Sequence, residues 1–124
     1  MTRLTLVTGA RAADRERAIA AALVPGRYTA IILEGLADAN SPLVYDESDA
    51  SADGRPQVIR IAPGCLCCAG HLVLRVTLHR ILRRPPAQLF ISLADASHLE
   101  RLRASLSSAP YDALLHLSPD LAVL

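Results

Sequence analysis

Residues 4–23 read LTLVTGARAADRERAIAAAL. Leu4 to Val7 is a short apolar run that stops at Thr8-Gly9, the pattern of a buried first strand ending in a turn. A helix is expected next. Asp14 is placed to cap it, and Ile19, Ala22 and Leu23 recur at helical spacing until Pro25-Gly26 ends the segment.

The same alternation runs down the chain. Tyr28 to Leu33 (YTAIIL) is β-branched and apolar on both faces, as in a central strand covered on either side. Gln57 to Ala62 (QVIRIA) predicts a third strand, turned by Pro63-Gly64. His71 to Arg84 predicts a helix with Leu72, Val76, Leu78, Ile81 and Leu82 on its apolar side and His71, Arg75, His79 and Arg83 along another face. Pro85-Pro86 stops it. Gln88 to Ala94 (QLFISLA) predicts a fourth strand, and Ser97 with Glu100 forms a capping box for a helix carrying Leu99, Leu102 and Leu106. Asp112 to Leu117 predicts a last short strand, while the tail SPDLAVL fits no single element. Fully apolar strands joined by helical crossovers imply an α/β fold: a three-layer domain with a mostly parallel sheet of about five strands and helices on both faces. The whole of 1–124 is expected to form one such domain. Residues 37–56, with Asp38, Asp46, Glu47, Asp49 and Asp53 against Arg55, are expected to form a mobile acidic loop.

Composition narrows the function. At 124 residues and 52% hydrophobic, with three tyrosines, one phenylalanine and no tryptophan, the chain has a core of Leu, Ile, Val and Ala. A net charge of +1 gives no field to draw it to nucleic acid, and no basic-aromatic patch is present. No apolar run reaches the roughly 20 residues that span a bilayer, and MTRLTLVTGA lacks a signal-peptide core. A cytoplasmic protein without nucleic-acid or membrane partners is expected, with its thiols reduced.

A strand, Gly9 and a helix is where a phosphate-binding loop of pattern G-x-x-x-x-G-K-[ST] would lie. Laid on from Gly9, GARAADRE puts Asp14 at the second glycine, Arg15 at the lysine and Glu16 at the magnesium-holding hydroxyl. Asp14 adds a side chain where backbone must approach closely, and the two carboxylates repel a polyphosphate. Arg15 keeps the charge without the compact ammonium, and the 13 basic residues include no lysine to take its place. Gly9 and Arg15 therefore mark a degenerate phosphate site, and GTP hydrolysis is not expected.

All three cysteines fall in IAPGCLCCAG, residues 61–70, at Cys65, Cys67 and Cys68. Thiolates are soft ligands that prefer zinc and Cu(I), and a C-x-C turn aims two sulfurs at one ion. Cys68 supplies a third. The fourth position is open to His71, close in sequence, to His98 or Glu34 through the fold, to a second copy of the chain, or to water. Burial as small hydrophobes is the plain alternative, and a redox pair is a further one, although the spacings differ from a C-x-x-C dithiol. His79 and His116 read as surface or satisfied core residues.

The segment GCLCC, after an apolar strand and before a helix, resembles the C-x-C-C motif of the CobW-type metallochaperone GTPases. These are P-loop proteins related to the chaperones that deliver nickel to hydrogenase and urease. LTLVTG resembles their first strand, TAIILEGLADANSPLV their second strand and the region after it, and QLFISLADASHLERL the strand and helix around their Walker B segment. The resemblance implies that Cys65, Cys67 and Cys68 are metal ligands and that Glu34 matches the family's glutamate, with Leu33 where an asparagine would stand. Ser92 or its neighbours stand at the expected acidic position, and an N-K-x-D guanine-reading motif cannot be written without lysine. The expectation is a metal-binding pseudo-GTPase domain, a carrier or sensor of zinc or a similar soft divalent ion. Two alternatives stand beside it: a non-catalytic module that pairs with itself or with a GTPase relative, and a CobW-like domain with residual GTP binding.

Overall fold

The computed structural model describes residues 2–24, 27–34, 57–61, 72–93, 99–108 and 110–123. The expected acidic loop 37–56, the three cysteines, His71, Ser97 and His98 lie outside the described residues.

The elements in chain order are β1 (Thr2–Gly9), α1 (Ala12–Ala22), β2 (Thr29–Glu34), β3 (Gln57–Ile61), α2 (Leu72–Ile81), β4 (Gln88–Ser92), α3 (Leu99–Leu106), a single 3-10 turn (Tyr111–Ala113), β5 (Leu115–Leu117) and β6 (Leu121–Val123). They build the expected three-layer α/β fold. The strands lie in the order β3-β2-β4-β1-β5, with β6 also on β1, and every pairing is parallel. Parallel sheets need both faces covered, and two apolar clusters cover this one. Leu4, Leu6, Ala30, Ile32, Leu89 and Ile91 pack with Leu74, Leu78 and Ile81 of α2 and Leu102 and Leu106 of α3. On the opposite face Val7, Ile31, Leu33 and Phe90 pack with Ile19 of α1. The alternation of odd and even residues between the clusters is the two-residue period of a strand.

Several boundaries differ from the sequence reading. Helix α1 begins at Ala12 with Arg11 as its N-cap, and Arg11 makes no side-chain capping bond. Asp14 therefore sits inside the first turn, where its charge suits the helix dipole and pairs with Arg17. Helix α2 ends at Ile81 and passes into a turn over 82–84. It presents Leu74, Thr77, Leu78 and Ile81 to the core, whereas Val76, expected on that side, is exposed. Residues 112–114 belong to the 3-10 turn and its end, so the strand expected from Asp112 starts only at Leu115.

The tail that fitted no element completes the sheet. Thr2–Leu4 pair with Leu115–Leu117, and Val7–Gly9 pair with Leu121–Val123. Between those blocks Thr5 and Leu6 face three residues, Ser118, Pro119 and Asp120, so β5 and β6 form one edge strand broken by a bulge. A proline without an N–H is tolerated there. The bulge is pinned from both sides. Ser118 donates its N–H to the Leu4 carbonyl at 2.9 Å, its hydroxyl lies 2.7 Å from that of Thr5, and Arg103 of α3 pairs with Asp120.

Candidate functional site

In an open parallel sheet, ligands bind outside the carboxyl ends of the strands, where neighbouring strands send their connections to opposite faces. That point lies between β1 and β4 here. After β1 the chain goes to α1 on one face, and after β4 to α3 on the other. The carboxyl ends of β1, β2 and β4 meet at Val7–Gly9, Leu33–Glu34 and Ser92, with Val7 and Leu33 both in register with Ser92.

The guanidinium of Arg15 fills this crevice. Its Nε donates to the Ser92 hydroxyl oxygen at 2.8 Å, and its Nη1 donates to the Gly9 carbonyl at 2.6 Å. Only 2% of Arg15 is exposed. Burial pulls its guanidinium below the ordinary arginine range, and the charges of Glu16 and Glu34 oppose that shift. Arg15 remains the local cation, because an arginine does not give up its proton in a protein.

The last row of the sheet on the α1 face explains why the helix turns these residues inward. Val7, Ser92, Leu33 and Arg60 are in register across β1, β4, β2 and β3. Over that row lie Arg15, bonded to Ser92, and buried Glu16, whose Oε1 accepts from Nη2 of Arg60 at 2.8 Å. The two positions at which a phosphate loop would carry its lysine and hydroxyl are thus bound to the chain's own sheet. Only Ala10 and Arg11 connect β1 to α1, so 12–14, which a phosphate-binding loop would use to wrap its ligand, are already helical. Gly9 is required for a different reason. A Cβ on Gly9 would lie 3.0 Å from the Val123 carbonyl oxygen, 3.1 Å from its Cβ and 3.2 Å from Cγ of Arg15. Its hydrogen lets β6 and Arg15 close over the end of β1.

Of the expected metal ligands, Glu34 is described. It ends β2, is 5% exposed, and is in register with Ile61, the last residue of β3. Ala30, Ile32 and Ile61 belong to the cluster under α2 and α3, which puts Glu34 on that face. Cys65, Cys67, Cys68 and His71 fall between Ile61 and the first residue of α2, outside the described residues. Among the described residues no three His, Cys, Asp or Glu side chains gather as a metal site. His79 is exposed with its ring 6.2 Å from that of Tyr111, and His116 is exposed on β5. Among the described residues no helix is long and apolar enough to cross a membrane.

The chain therefore belongs to the class of three-layer parallel α/β domains, with a crevice at the switch point closed by its own arginine. Compared with protein-family models, curated proteins and solved structures, it matches none.

Proposed function

We propose that this chain is a metal-binding, CobW-like pseudo-GTPase domain of the cytoplasm, a carrier or sensor of zinc or a similar soft divalent ion that does not hydrolyse GTP. The observation that carries the reading is the pair of hydrogen bonds that Arg15 donates to Gly9 and Ser92. It gives the crevice an internal occupant, while the cysteines follow β3 in the sequence, a strand separated from β4 by β2.

Cys65, Cys67 and Cys68 would hold the ion. The donor set suits zinc: three thiolates, with an imidazole at His71 and a buried carboxylate at Glu34 on the face to which the chain passes from β3 to α2. Such a site with three sulfurs and an exchangeable fourth position favours handing an ion on over locking it in place.

A second reading, a non-catalytic module that pairs with itself or a GTPase relative, draws support from β3. Among the described residues it is an edge strand, with Val58, Ile59 and Arg60 half-buried. Residual GTP binding, the third reading, would require Arg15 to leave Ser92.

Protein purified under reducing conditions is expected to carry one zinc per chain by elemental analysis. The variant with Cys65, Cys67 and Cys68 all changed to Ser is expected to carry none, and GTP with magnesium is expected to give no heat on titration into either. Equal zinc in the two proteins defeats the metal reading, and saturable heat from GTP favours the third reading.

A further inference from the structure

We propose that the outer face of α2 docks an acidic segment of a partner protein, one that places apolar side chains between its carboxylates. The helix is held down by Leu74, Leu78 and Ile81, which are buried in the core beneath it. Away from those residues it exposes Val73 by 42% and Val76 by 53%, among the large apolar side chains left in water by the described residues. Arg75 and Arg80 are exposed on the same helix, and Arg83 and Arg84 on the turn that follows. None of the four pairs with a carboxylate among the described residues. The sequence also supplies no local counter-charge, because 54–94 contains no aspartate or glutamate at all. Exposed valines on a helix that also carries arginines with no carboxylate partner among the described residues are matched by carboxylates, which take the guanidinium fork two bonds at a time, and by an aliphatic side chain over the valines.

The same features disfavour other anionic partners. A helix that lies in a membrane surface inserts its leucines and aromatics, whereas the core-facing leucines of α2 are already buried. Single-stranded nucleic acid is held by aromatic stacking, and α2 carries no Phe, Tyr or Trp, while the ring of its histidine, His79, lies 6.2 Å from that of Tyr111. Among the described residues a second copy offers Glu100 and Asp112 as exposed carboxylates on separate elements, not as a matching row; pairing of copies through the acidic stretch 37–56 would show as a dimer in the test.

The test uses the full chain and a fluorescent peptide of alternating leucine and glutamate pairs. Its glutamine counterpart, vesicles of phosphatidylserine and phosphatidylcholine in equal parts, and a DNA oligonucleotide serve as competing probes. Anisotropy is expected to show saturable binding of the glutamate peptide alone. The Arg80→Glu/Arg83→Glu variant is expected to weaken it by roughly tenfold or more, and Val76→Asp by a similar factor. Both variants are expected to melt with the wild type and keep its zinc content. If charge reversal disturbs folding, Arg80→Gln is the substitute, and it is expected to weaken binding severalfold. Peptide affinity indifferent to these changes, tighter binding of vesicles or DNA, or a dimer that charge reversal dissolves would each overturn the proposal.

Discussion

Arg15→Ala is expected to destabilise the domain by about 3 kcal/mol. The change removes both donors from a site that water does not reach easily, leaving the Gly9 carbonyl and the Ser92 hydroxyl without the partners that now hold them at 2.6 and 2.8 Å. It also removes the cation whose charge acts on Glu16 and Glu34, both buried. Breaking such an arrangement from one side costs more than the arrangement contributes net, because the remaining groups stay desolvated. Thermal unfolding should begin on the order of 10 °C lower. Arg15→Lys keeps a charge but has no planar fork to reach two acceptors, so it should recover roughly half of the loss. A melting temperature unchanged in Arg15→Ala would mean that the guanidinium is not a structural part of the crevice.

Ile91→Ala is expected to cost more, about 4 kcal/mol. Ile91 is fully buried on β4, the strand at the centre of the order β3-β2-β4-β1-β5. Its register partners are Leu6 on one side and Ile32 on the other, and all three face the cluster beneath α2 and α3. Strands bonded on both edges cannot move together to fill the space left by the side chain, so the site lies toward the upper end of the range for such truncations. Ile59→Ala, on the edge strand and only half-buried, should cost about 1–2 kcal/mol. Denaturant titration of the two variants checks both. A loss at Ile91 no larger than at Ile59 would contradict the strand order.

The fold was legible where both faces of an element are buried. TAIILE and QLFIS carry apolar residues at odd and even positions alike, which only a strand covered on two sides requires. The start of α1 was misread because Asp14 is a strong capping residue, yet the inward contacts of Arg15 and Glu16 draw the helix start back to Ala12. On α2 the sequence offers two overlapping apolar stripes, and only the position of the sheet selects Leu74 over Val76. β6 was hidden by Pro119, which reads as a strand breaker until the bulge gives it a place.

The site was legible in part. Replacement of the phosphate-loop residues can be read along the chain, but what Arg15 does instead depends on Ser92, 77 residues away, and what Glu16 does depends on Arg60, 44 residues away. No local pattern links such pairs. Arg15 and Ser92 stand where a lysine and an acid are expected, and the structure adds that they bond to each other.

The measurement that bears most directly on the proposed metal site is the absorption spectrum of the protein loaded with cobalt(II) in place of zinc. Thiolate ligation by Cys65, Cys67 and Cys68 predicts an intense sulfur-to-cobalt charge-transfer band, with the strong visible bands of a tetrahedral ion. Each single Cys→Ser change should lower the charge-transfer intensity, and the triple change should abolish it. A spectrum that is weak in the wild type, or the same in the wild type and the triple serine variant, would contradict the account.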